Sequence, residues 1–195
     1  SIFPTPVIGA VGLLQNVENH CGSAFENQND LVFLLGTNTI DLNLEYFAGS
    51  EFLELIHNKI EGSPEINIAL EIILQKTCRE LIASNLLNSC HDCSEGGLAI
   101  AIAESAILGN KGFVANFELN ERWDSALFGE KQSRVVISFH PSNLDEILSI
   151  CNRFSLPFFE LGKVSSNRFK MSEFIDLNIE EISNVWKTTL LNELN

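Results

Sequence analysis

Ser89-Cys90-His91-Asp92-Cys93-Ser94-Glu95-Gly96-Gly97-Leu98 is the stretch on which the reading of this chain turns. It gathers acids, hydroxyls and glycine into a loop and then runs into Ala99-Ile100-Ala101-Ile102-Ala103-Glu104-Ser105-Ala106, an apolar segment of good helix formers. Main-chain amides at the start of a helix carry positive partial charge and point outward, so an anion can sit there. Gly96 and Gly97 would let a phosphate approach the main chain closely. Asp92 and Glu95 would repel a bare phosphate, and they make sense beside one where Mg2+ bridges the charges. A structural reading competes. Asp92 can serve as the N-cap and Glu95, three residues on, as its reciprocal partner in a capping box. Both readings stand at this point.

Outward from this loop the chain alternates short apolar runs with amphipathic segments. Val7-Ile8-Gly9-Ala10-Val11-Gly12-Leu13-Leu14 reads as a buried strand whose glycines mark close backbone approach. Leu31-Val32-Phe33-Leu34-Leu35-Gly36 is continuous rather than alternating, which predicts a strand covered on both faces. Ser50 to Ile60 has helical spacing with Gly62 as the stop, and Ser63-Pro64-Glu65 reads as the start of a long packing helix carrying Leu70, Leu74, Thr77 and Leu81. Helices are also expected over 98–108, 143–154 and 179–194. Strands are expected over 113–119, 134–139, 158–164 and 168–171. Strands and helices are mixed without strict alternation, so the fold class is α+β, with a mixed sheet flanked by helices.

Composition narrows the function classes. The chain has 195 residues, 45% hydrophobic and 19% charged, with a formal net charge of −14. That is ample for a core and gives no sign of disorder. Only 12 Lys and Arg are spread along it, so it lacks the basic cluster that a nucleic acid or an anionic membrane selects. It has no run of about 18 apolar residues. Five cysteines in ordinary apolar context indicate a reduced, cytoplasmic setting rather than a disulfide scaffold. The start Ser1-Ile2-Phe3-Pro4-Thr5-Pro6 is what is expected of a piece cut from a longer polypeptide.

Cys90 and Cys93 have a CxxC spacing, but no second pair at zinc-finger distance accompanies them, so packing is the better reading. Adjacency of His91 and Asp92 does not imply a catalytic triad. A second unusual stretch is Ala126-Leu127-Phe128-Gly129-Glu130-Lys131-Gln132-Ser133-Arg134. An early strand start would place Glu130, Gln132 and Arg134 on one side, where they could hold a ribose, an amide or a carboxylate. The alternative is a surface Glu130–Arg134 pair worth under about 1 kcal/mol.

Three motifs, in order, resemble a known family: Phe3-Pro4-Thr5-Pro6-Val7-Ile8-Gly9-Ala10-Val11-Gly12-Leu13; His91 to Ala99 with Ala103-Glu104-Ser105; and Leu127-Phe128-Gly129-Glu130-Lys131-Gln132-Ser133-Arg134. With Gly49-Ser50-Glu51 and Val185-Trp186-Lys187, they look like the C-terminal part of the phosphoribosylformylglycinamidine synthase large-subunit family, within the aminoimidazole ribonucleotide synthetase superfamily. The resemblance implies a strand and connector from a preceding domain over 1–20 and a C-terminal α+β domain over 21–195. It implies ATP-dependent amidation of formylglycinamide ribonucleotide with glutamine-derived ammonia, and Mg2+ and ATP or ADP as cofactors of the complete enzyme. The implied partners are the enzyme's other domains, a glutaminase subunit and a small accessory subunit. It places the catalytic histidine and most Mg2+ ligands outside this chain, which alone should be inactive.

By the pseudo-symmetry of the family, Asp92, Ser94, Glu95, Gly96, Gly97, Glu130 and Gln132 then either line an auxiliary nucleotide site, with Asp92 toward Mg2+, or only brace the domain interface. A chain cut from such an enzyme should self-associate through its exposed apolar surface. Selenophosphate synthetase and thiamine-phosphate kinase C-terminal domains are the rivals within the superfamily. A non-catalytic interaction module is the rival from outside it.

Overall fold

The structure, a computed structural model, describes residues 7–40, 43–119 and 122–193. Its seven strands are β1 (Leu31–Leu35), β2 (Ser89–Asp92), β3 (Gly112–Ala115), β4 (Val135–Phe139), β5 (Phe158–Ser165), β6 (Arg168–Met171) and β7 (Ile175–Asn178). They form one sheet in the order β2-β4-β1-β5-β3-β6-β7. Only β3 and β6 pair in parallel. The mixed sheet and the α+β class are as expected.

The apolar run of β1 explains the layering. Val32 and Leu34 enter one core with Val136, Leu161, Phe113 and Phe169, and with the helices α3 (Gly97–Gly109) and α4 (Trp123–Phe128). Leu31, Phe33 and Leu35 point the other way, into a second core with Ile137, Phe139 and the helices α2 (Ile68–Ala83) and α5 (Leu144–Phe154). Side chains alternate across a strand, so one continuous apolar run serves two cores only where both faces are covered. A short helix, α1 (Glu51–His57), docks on α4 through Phe52, whose ring stacks 5.0 Å from Phe47 and 5.2 Å from Phe128. A last helix, α6 (Ile179–Glu193), lies along α3.

Several expectations are corrected. Residues 7–14 form no strand: Val7, Ile8, Val11 and Leu13 are almost fully exposed, and a side chain added at Gly9 or Gly12 would meet nothing within 4 Å. The segment has no ladder partner within the described residues, and an apolar sequence without a partner cannot bury itself. Residues 1–6 of the same motif lie outside the described residues.

The expected helix start at Ser63-Pro64-Glu65 is also displaced. The Gly49 amide donates to Glu61 O at 2.9 Å and draws this part of the chain back onto the segment before α1. The helix begins at Ile68, where the Asn67 carboxamide accepts from the Leu70 amide at 3.1 Å. α1 stops at His57, with Asn58 left-handed at φ 53°, rather than at Gly62.

Candidate functional site

The decisive stretch is a strand, a turn and a helix rather than one loop. Ser89 to Asp92 is the edge strand β2, paired with β4, and the buried Ser89 and Ser138 hydroxyls meet across the pair at 2.6 Å. Strand alternation sends Cys90 and Cys93 to opposite faces of the sheet. Cys93 is buried in the α3 core, and Cys90 packs against the α2 core. The CxxC spacing therefore brings no two ligands together. Burial pushes the Cys93 thiol up to about 11.

The capping box does not form. The residue preceding α3 is Gly96, left-handed at φ 77°, and it makes no side-chain cap bond. Asp92 instead accepts from the Ser94 hydroxyl, and its carboxylate is 71% exposed. Glu95 is exposed. His91 is held at both ring nitrogens: Nε2 lies 3.1 Å from Glu104 of α3, and Nδ1 lies 2.8 Å from Asp92 O. A ring spanned in this way is a strut between β2 and α3.

The anion at the start of α3 comes from the chain itself. Glu130 Oε1 accepts from the Gly96 amide at 2.8 Å and from the Glu51 amide, the first residue of α1, at 2.9 Å. The Glu130 amide in turn donates to Tyr46 O at 2.7 Å. One carboxylate thus satisfies amides at two helix starts, each of which favours negative charge. The Gly97 amide is taken by Ser94 O at 3.1 Å.

Gly97 is also explained without a ligand. It sits at φ 70°, and a Cβ there would stand 2.6 Å from Gly129 O and 3.0 Å from Leu127 O. The second glycine lets α3 close on the end of α4.

Arg134 corrects both sequence readings of its stretch. It neither pairs with Glu130 at the surface nor shares a side with Glu130 and Gln132. β4 begins only at Val135, and Ser133 turns the chain at φ 61°. The Arg134 guanidinium is buried and donates to Lys131 O at 3.1 Å and Gly129 O at 2.5 Å, so it staples its own turn. Gln132 is exposed. With Glu130 and Lys131 it lines a broad groove of about 970 Å3, which Tyr46, Lys59 and Glu65 also line.

The structure therefore joins Gly96 to the Glu130 carboxylate, while Gln132 lines the groove beside Glu130 and its side-chain amide donates to Glu130 O at 3.4 Å. Sequence reasoning missed the Glu51 amide as Glu130's second partner. The only signal for it was the acid that follows Ser50 at a helix start.

Among the described residues, Asp92 and Glu130 do not by themselves complete a Mg2+ site. Mg2+ requires a near-octahedral set of oxygens. Asp92 offers a carboxylate already bonded by Ser94, and both Glu130 amide contacts fall on one inward oxygen. Among the described residues no group of three or more His, Cys, Asp or Glu is placed to hold a metal ion.

A mixed sheet between two helical layers, with two helix starts tied by one carboxylate at its edge, defines a compact α+β domain of a recognised type. The chain belongs to the family described as AIR synthase related protein, C-terminal domain, which it matches over residues 27–172. It is 35% identical over 195 residues to the phosphoribosylformylglycinamidine synthase subunit PurL of Alkaliphilus metalliredigens, covering 97% of this chain and 26% of that protein. The chain therefore spans about a quarter of the length of this curated relative.

Among solved structures, T. maritima PurL complexed with FGAR superimposes with a TM-score of 0.68 at 17% identity, covering 86% of this chain and 30% of that one. E. coli HypE, a hydrogenase maturation protein, superimposes at 0.53 and 14% identity, covering 82% and 51%. At these identities the structures speak for the fold.

Proposed function

We propose that this chain supplies the C-terminal domain of a phosphoribosylformylglycinamidine synthase and works only with the remaining domains of that enzyme. The observation that carries the reading is identity of 35% over nearly the whole chain to a protein of that name, in which it corresponds to about a quarter of the length. In the complete enzyme ATP activates the formamide oxygen of formylglycinamide ribonucleotide, and ammonia from a glutaminase subunit displaces phosphate to give the amidine. The nucleotide and Mg2+ belong to the other domains on this reading.

The role assigned to this chain is to brace. Glu130 ties α1 to α3, Arg134 staples the intervening turn, and His91 struts β2 against α3. A contribution to a domain interface accounts for the exposed apolar side chains of Val7, Ile8, Val11, Val185 and Trp186.

The test is a chimera in which the matched quarter of the Alkaliphilus relative is replaced by this chain. ATP- and ammonia-dependent amidine formation by the chimera, with none by the chain alone, is the expected result. A folded but inactive chimera, or turnover by the chain alone, would contradict the proposal.

A further inference from the structure

Two apolar surfaces of this chain lie open. The first is the segment Val7–Leu14. Its Val7, Ile8, Val11 and Leu13 side chains are almost fully exposed, and it has no ladder partner among the described residues. It holds no charged residue, and the first acid after it is Glu18. The second is a groove of about 640 Å3 between α3 and α6, walled by Ile100, Ala103 and Ile107 on one helix and by Ile182, Val185 and Trp186 on the other. Val185 and Trp186 are more than half exposed. The apolar positions of α6 recur at three- and four-residue spacing and so form one stripe, which meets α3 without closing the gap.

We propose that this groove is the seat for Val11–Leu14 of a second copy of the chain, and that two copies exchange these segments reciprocally to form a twofold dimer. The lengths match. Extended, Val11–Leu14 spans about 10 Å, and each helical wall, from Ile100 to Ile107 or from Ile182 to Thr189, also rises about 10 Å. Within one chain the segment stays exposed, so the groove is free for a second copy.

Charge selects this segment over other surfaces of the second copy. Glu104 and Glu181 stand in the groove lining, and the chain carries a formal net charge of −14. Docking α6 on α6 would set Glu180 and Glu181 of one copy against those of the other, and like charges across an interface repel. Val7–Leu14 brings no charge at all. Area selects the reciprocal form. Seating Val11, Leu13 and Leu14 removes about 100 Å2 of apolar surface per side chain, and as much again from the walls, so two seats bury about 1,200 Å2. That is the low end of stable interfaces, and one seat alone falls short of it. Reciprocal exchange also closes the assembly at two copies. The inference is independent of what faces these surfaces in a complete enzyme.

The experiment is sedimentation equilibrium of the folded chain, together with benzoylphenylalanine introduced at position 13, photolysed and mapped by peptide mass. A dimer is expected, with a cross-linked product of dimer mass joined to residues 100–107 or 177–189. Val11→Glu and Val185→Glu each place a charge in the contact from an exposed position outside the core. Each should raise the dimer dissociation constant by about tenfold or more. Circular dichroism checks that both variants keep the fold. A monomeric wild type overturns the proposal. So does a dimer that either variant leaves unweakened, a cross-link formed within a chain of monomer mass, or one that maps outside the groove.

Discussion

Glu130 and Gly96 lie 34 residues apart in sequence, yet the Glu130 carboxylate oxygen stands 2.8 Å from the Gly96 amide where α3 begins. The same oxygen reaches the Glu51 amide at the start of α1. An ion at a helix start is usually a ligand or a local cap. Here it is a distant side chain, and it unites two helices and a turn that share no neighbouring sequence.

Removing this carboxylate should therefore cost stability even though it is only partly buried. Glu130→Gln keeps an acceptor but loses the charge, and it should cost about 1 kcal/mol. Glu130→Ala leaves both amides unpaired and should cost about 2–3 kcal/mol. Urea denaturation monitored by circular dichroism measures both. Equal stability of the three proteins would remove Glu130 from its bracing role.

Gly97→Ala meets two obstacles together: a left-handed backbone and the Gly129 carbonyl 2.6 Å from the new methyl group. The expected loss is about 2–4 kcal/mol. Gly9→Ala is the matched control, because open space surrounds it. A thermal midpoint for Gly97→Ala equal to that of Gly9→Ala would show that α3 can retreat from α4 without penalty.

Arg134→Met keeps much of the apolar volume of the buried stem but leaves the Gly129 and Lys131 carbonyls without their donor. A destabilisation of about 2–4 kcal/mol is expected, and Arg134→Lys should recover only part of it, because an ammonium lacks the planar fork that reaches both carbonyls. Full recovery by lysine in chemical denaturation would contradict the two-carbonyl arrangement.

The Arg122 guanidinium, bonded to Asp124 through two nitrogens, holds the Asp124 carboxyl below the usual carboxylate range. A lowered folded-state value means that the stabilisation is fully present above the unfolded value, about 4, and is lost as pH falls through the lower folded value. Asp124→Asn should therefore flatten the acid limb of a plot of thermal midpoint against pH and change little at pH 7 beyond the loss of an exposed pair. An acid limb as steep as that of the wild type would assign the effect to other carboxylates.

The sequence revealed those elements whose pattern is local. The five-residue run of β1 announced two covered faces, and α3, α5 and α6 follow their apolar spacing to within a residue or two. What it did not reveal depends on contacts distant in sequence. β2 was hidden because Ser89-Cys90-His91-Asp92 has neither alternation nor β-branched residues, and only its ladder with β4 makes it a strand. β7 and α4 are too short to display a period. The strand expected at 7–14 had the right composition and no partner among the described residues. At the site, the paired glycines and Glu130 were recognised as unusual, but their common cause, one carboxylate spanning two helix starts, required three-dimensional proximity.

The most direct test of the central claim, that the start of α3 is filled by Glu130 and is not a phosphate cradle, is calorimetric titration of this chain and its Asp92→Asn variant with Mg-ADP. The account predicts no saturable heat from either protein at millimolar nucleotide. Saturable binding by the wild type that Asp92→Asn weakens would contradict it and assign a nucleotide-phosphate site to the Asp92–Gly97 turn.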